Sequence, residues 1–151
     1  MKSLDDPVAR NALKQRVLAL TATTPRRWGT MTPHQMLCHL NDAFLSVTGQ
    51  RAVAKRSSLL ERTVVKFFAL HVPMHWPQGV PTLPEIDQVA GGGTPPAEWE
   101  RDRAELLRLL EWFPSPHALK TVHPIFGPLS SSQWMRWGYR HVDHHLRQFG
   151  V

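Results

Sequence analysis

Several things are scarce in this 151-residue chain, and each scarcity excludes something. There is one cysteine, Cys38, so an internal disulfide and a CxxC zinc site are both ruled out. No apolar run approaches the roughly 18 residues of a membrane span, so no helix is expected to cross a bilayer and no membrane partner is expected. The stretch Met1-Lys2-Ser3-Leu4-Asp5-Asp6-Pro7 lacks the apolar centre of a secretory signal. Together with the single thiol, this gives a cytoplasmic expectation. Charge is not massed either. Lysine plus arginine outnumber acids by 18 to 12, a net of +6, yet the cations are scattered and no Lys/Arg run exceeds two residues. That is not the patch of a nucleic-acid binder. No segment alternates apolar and polar residues with period two, so little sheet is expected.

What is present is an ordinary globular composition, 42% hydrophobic and 20% charged, long enough for one domain spanning residues 1–151. The pattern is helical. Asp5 or Asp6 can cap a first helix with Pro7 in its first turn. Val8, Leu13, Val17, Leu18 and Leu20 give that helix an irregular apolar face, and Thr21-Ala22-Thr23-Thr24-Pro25 ends it. Thr32-Pro33-His34-Gln35 is a capping-box start for a second helix, carried on by Met36, Leu40, Ala43, Phe44 and Val47 and stopped near Gly49. Residues 57–70 read as a shorter helical piece. Residues 71–96 hold six of the 13 prolines and four of the nine glycines, which marks a loop or cover, with His75 and Trp76 in it. A third long helix runs from about Ala97 to Phe113, ended by Pro114 and Pro116. Residues 123–128 form a tight connection. Ser130-Ser131-Ser132-Gln133 then caps a last helix that reaches about Phe149. The expected fold is all-α: a four-helix bundle whose long crossover between the second and third long helices permits parallel neighbours, hence the order up-down-down-up.

Histidine is the unusual count, with nine in all. His141 and His145 are four apart on the last helix, about 40° past a full turn and about 6 Å along the axis, so both rings leave one face. Two such rings can share a metal ion. His144 points about 100° away. A third ligand has to come from another helix. His39 lies roughly 10 Å into the second helix, and His141 and His145 lie about 12 and 6 Å from the end of the last. In an antiparallel pair the three fall at one level. Nitrogen ligands suit zinc first, then nickel or iron(II), and disfavour magnesium and calcium. Three ligands leave a coordination position open, the arrangement of catalytic rather than structural sites. Asp42, one turn from His39, is either a fourth ligand, an orienting carboxylate or a solvated residue, with water as the other candidate for the fourth position. Gln35 and Gln148 lie near the same faces and are candidates for orienting a ligand.

At this point the residues resemble a known group. The segment Trp28-Gly29-Thr30-Met31-Thr32-Pro33-His34-Gln35-Met36-Leu37-Cys38-His39-Leu40 resembles the opening of a DinB/YfiT-like subfamily of unknown function. His123-Pro124-Ile125-Phe126-Gly127 matches its HPxFG segment, and Tyr139 to Gly150, with His141-Val142-Asp143-His144-His145-Leu146-Arg147-Gln148-Phe149, matches its ending. The resemblance implies a metal-binding bundle with a long crossover, His39, His141 and His145 as ligands, and dimers as a common assembly. Some relatives in that superfamily are metal-dependent thiol S-transferases or maleylpyruvate isomerases, which makes a small-molecule substrate and a low-molecular-weight thiol the implied partners. No thiol-binding motif is visible here.

The remaining residues weigh toward structure. Cys38 is expected in the core. His123 reads as a turn residue, far along the helix from His141. Gly138, one turn before His141, either leaves space for substrate or permits close packing. Trp134, Trp137 and Tyr139 read as core and rim. Arg51, Lys55, Arg56 and Arg62 form a basic group able to meet an anion or simply to face solvent. The leading expectation is a metal-dependent enzyme, a transferase or isomerase. A non-catalytic metal-binding protein and a basic interaction protein are the alternatives.

Overall fold

A computed structural model of the chain describes residues 1–114 and 122–151. Five α-helices appear and, among the described residues, no strand: α1 (Pro7–Ala19), α2 (Pro33–Val47), α3 (Lys66–His71), α4 (Trp99–Trp112) and α5 (Ser131–Gln148). A π-helical turn (Glu61–Val65) leads into α3, and a 3₁₀ turn (Pro84–Ile86) lies in the crossover. Among the described residues, the sole departure toward sheet is one antiparallel bridge between His123 and Gly127.

Local chemistry sets most helix starts. The Asp6 carboxylate accepts from the Val8 amide, with Pro7 at the first helical position. At α2 and α5 the capping box is complete: Thr32 and Ser130 accept from the amides of Gln35 and Gln133, whose side chains return to the cap amides. Each box satisfies two amides that the helix itself leaves without partners. The start of α4 is different. There the Glu98 carboxylate accepts from the Glu100 and Arg101 amides, a role the residue type does not announce. Pro114 follows the end of α4, while Pro116 lies outside the described residues.

Helices α1, α2, α4 and α5 enclose the core. α4 packs on α2 and on α1, and α5 packs on α1, α2 and α3. Leu13, Val17, Met36, Leu37, Leu40, Phe44, Leu106, Leu109, Leu110, Phe113, Val142 and Leu146 are buried at its centre. The apolar face expected for α1 needs correction. Val8 and Leu18 are exposed, and Ala9, Leu13 and Val17 face inward. The stretch 59–68 is a second surprise, because Leu59, Leu60, Val64, Phe67 and Phe68 all point outward.

The crossover is fastened down at several points. Arg51 donates to the carbonyls of Glu85 and Gly92 and to Thr94, and pairs with Asp42 at 3.1 Å. Asp42 also accepts from Gln88 and from the Thr94 amide and hydroxyl. This close approach needs Gly93, since a Cβ there would sit 2.2 Å from the Gln88 amide nitrogen.

Candidate metal centre

Helix periodicity and the capping boxes bring three imidazoles together where α2 meets the last two turns of α5. His39, His141 and His145 each offer one ring nitrogen, and these atoms all lie within 4.8 Å of one another. The Nε2 atoms of His39 and His141 are 3.3 Å apart. Ring centroids are 5.3 Å apart for His39–His141, 4.7 Å for His39–His145 and 5.0 Å for His141–His145.

The ring orientations follow from the opposite nitrogens. His39 Nδ1 is 3.0 Å from the Ile86 carbonyl. A carbonyl only accepts, so Nδ1 carries the proton and Nε2 presents a lone pair toward the cluster. His145 Nδ1 donates to Gln148 Oε1 at 3.2 Å, which frees its Nε2 in the same way. The other side of the Gln148 amide fits against Gly29, where φ is +77° and a Cβ would sit 2.3 Å from Nε2. His141 Nδ1 is buried without a partner. Such second hydrogen bonds on a ligating ring set its tautomer and aim.

Electrostatics keep the three rings neutral. Burial pushes His39 below the ordinary histidine range, and the Ile86 carbonyl with Asp42 and Asp87 pulls it partly back. His141 and His145 lie well below that range, chiefly through burial and then through the neighbouring imidazoles. Neutral imidazole is the form that ligates a metal. Three convergent imidazoles, two with the cluster-facing lone pair fixed and no protein carboxylate among them, fit a divalent transition ion, which these three residues would hold.

The other sequence candidates separate clearly. Asp42 is neither a fourth ligand nor solvated. It is 1% exposed, and its oxygens are taken up by Gln88, Thr94 and Arg51. Gln35 is spent on the α2 cap and on the Gln88 carbonyl, whereas Gln148 does orient a histidine. Gly138 serves packing, since a Cβ there would sit 2.6 Å from Leu4 Cδ1 and 3.2 Å from Phe113 Cε1. His123 is a turn residue, and a buried one. Its Nδ1 accepts from the Ile125 and Phe126 amides, and burial brings its pKa down to about 3. His144 stands off the cluster, between Trp28 and Trp76, with ring separations of 4.8 and 6.0 Å. Trp76 reaches from the crossover to within 6.0 Å of the His141 ring. Arg51 belongs to the crossover clamp rather than to a free basic group.

One arrangement escaped the sequence reading. His34 and Cys38, four apart on α2, meet Asp102 of α4. Asp102 Oδ2 accepts from His34 at 2.9 Å, from Cys38 at 3.6 Å and from the Ala97 amide at 3.1 Å. Burial, followed by Asp102, pushes the Cys38 thiol up to about 12, so it is a protonated donor and not a nucleophile. The H-x-x-x-C spacing was the available signal, but its acidic partner is 64 residues away from Cys38.

The fold and the site thus define an all-helical protein with a buried three-histidine cluster capable of holding a metal ion. The chain belongs to the DUF1569 family, described as a protein of unknown function, which it matches over residues 2–150. No curated protein and no solved structure matches it.

Proposed function

We propose that the chain is a DinB/YfiT-like four-helix bundle that holds one divalent transition metal ion on His39, His141 and His145. The ion is zinc by preference, with nickel or iron(II) as alternatives, and the protein acts as a metal-dependent transferase or isomerase on a small molecule together with a low-molecular-weight thiol. The observation that carries the reading is the convergence of three neutral imidazoles, His39 and His145 buried and His141 half-buried, two of them aimed by carbonyl oxygens on their far nitrogens. A metal bound there would lower the pKa of a water or thiol in the open position, or polarise a carbonyl. The chain's own contribution is to hold the rings neutral and aimed. The transferase or isomerase step and its thiol come from resemblance alone, and the cytoplasmic placement from composition.

The order up-down-down-up belongs to the same proposal, and cross-helix pairs support it. Arg10 and Lys14 meet Glu111, while Arg103 reaches the Leu20 carbonyl, the pairing expected of an antiparallel α1 and α4. Asp102 meets His34 while Phe113 meets Phe44, the pairing expected of a parallel α2 and α4. Self-association is also part of it, supported by the exposed strip of Leu59, Leu60, Val64, Phe67 and Phe68, because an apolar patch of this kind marks an interaction site. Sedimentation of the Phe67→Glu/Phe68→Glu double variant should then report a monomer where the parent chain is a dimer.

Metal analysis of the purified protein tests the central claim. About one ion per chain is expected, falling at least tenfold in His141→Ala, the loss of one of three ligands. Full occupancy in that variant would overturn the ligand assignment. Turnover of a panel of thiols and electrophiles by the loaded protein, with metal-stripped protein as control, separates the enzyme from a passive metal binder.

A further inference from the structure

A cleft of about 780 Å³ opens beside the histidine cluster, at the end of α5 and against the segments around residues 27–28 and 73–78. Its charge is unbalanced. Lys2, Arg27, Arg140 and Arg147 line it, with Asp143 as its one acidic side chain. That carboxylate is already held by Arg16 of α1 at 2.5 Å. Several arginines elsewhere meet acids: Arg10 with Glu111, Arg51 with Asp42, Arg103 with Glu100, Arg108 with Glu105. In the cleft they do not. Arg140 donates to the carbonyls of Val72 and Met74, and Arg27 has only the Gly150 carbonyl, at 3.4 Å. Arg147 and Lys2 make no ion pair among the described residues.

The walls are flat and aromatic. Trp28 and Trp76 line the cleft with His144 between them. Trp76 is fixed by its indole N–H to the Ala69 carbonyl at 3.0 Å and lies 5.8 Å from the Arg140 guanidinium. The same two inner side chains touch the histidine cluster: Trp76 lies against His141, and the His144 ring is 5.2 Å from that of His145. A molecule in the cleft is therefore one side chain away from the three imidazoles.

We infer that this cleft binds the substrate of the proposed reaction through its negative charge, and that the substrate is a small organic anion with at least two carboxylates and a flat apolar body. Guanidinium forks at Arg27 and Arg147 match carboxylates, and the accessible surface of the half-buried Trp28 indole matches the body. The inference rests on the proposed metal site only for the direction in which the reacting end points. Binding of the anion itself does not require the ion.

Titration of zinc-loaded and metal-stripped protein with benzene-1,3,5-tricarboxylate, followed by calorimetry and by tryptophan emission, tests it. Saturable binding of one molecule per chain is expected in both forms. The neutral triamide of the same ring should not bind. Arg147→Ala and Arg27→Ala should each weaken binding about tenfold or more, roughly the loss of one charge-assisted contact, with Arg147→Lys intermediate. Both arginines are exposed, so unchanged thermal stability of the variants shows that folding is not the cause. Absence of saturable binding across mono-, di- and tricarboxylates overturns the inference, as does binding that ignores both arginine replacements. His141→Ala protein that loses its metal but keeps the anion supports the cleft. An absence of metal from the parent protein, with anion binding intact, sinks the metal reading and leaves this one standing.

Discussion

Gln148 illustrates how much one side chain decides. Its amide oxygen fixes the Nδ1 proton of His145, and its other edge rests on the glycine of the Trp28-Gly29-Thr30 turn. Gln148→Leu keeps the bulk and removes the acceptor. It should weaken zinc binding by about 10- to 100-fold, the usual cost of losing the partner of a ligating histidine. Competition against a chromophoric chelator would measure this, with full loading retained at saturating zinc. Gly29→Ala strains a left-handed residue and crowds the same amide, so it should shift affinity in the same direction. The residues that could be read from sequence at this scale were those governed by helical spacing. His141 and His145 share a face because they are four apart. The orienting group of His39, a backbone carbonyl at Ile86, carries no signature in residue type and was invisible.

Among elements, the crossover is the one whose order depends on a single buried carboxylate. Asp42 gathers Gln88, Thr94 and Arg51 onto α2, and Ile86, the acceptor for His39, lies within the segment so gathered. Asp42→Ala leaves the Arg51 guanidinium without its carboxylate and the crossover without its anchor. A loss of about 3 kcal/mol is expected, the lower end for breaking a buried pair. Equilibrium unfolding in urea would read it, and limited proteolysis should find new cleavage between about residues 79 and 94 where exposed tips are nicked. Helix starts at Thr32 and Ser130 were legible because a capping box is complete within four residues. The start of α4 was placed two residues early, because Glu98 does the capping and glutamate is not a usual cap. The face of α1 was misjudged at Val8 and Leu18, because burial there is decided by α4 and α5, which lie more than eighty residues away in sequence. The role of Asp42 was hidden for the same reason, since its partners Gln88 and Thr94 are 46 and 52 positions distant.

The whole molecule should be sensitive to acid, and the sign follows from His123. Its ring is buried, accepts two amides and titrates near 3 in the folded chain, against an ordinary value of 6.5. Below the ordinary value the unfolded chain takes up the proton and the folded chain does not. The contribution is therefore complete at neutral pH and declines as pH falls from 6.5 toward 3, at a slope of up to about 1.4 kcal/mol per pH unit. Urea unfolding between about pH 7 and pH 5 would show the decline. His123→Asn, which keeps an acceptor near the Nδ1 position but does not titrate in this range, should make the decline shallower by up to about 1.4 kcal/mol per pH unit, leaving the share of the other buried histidines.

His39 and His141 stand 102 positions apart in the chain. A cation shared between them would act as a reversible cross-link closing most of the polypeptide into one large ring. Closing so long a loop removes much of the freedom of the unfolded state, and a non-covalent closure is governed by mass action, about 2.7 kcal/mol at a hundredfold excess over the dissociation constant. The supply of free ion would then set the lifetime of the folded protein as well as its chemistry, and scarcity of the metal would be felt first as lost protein.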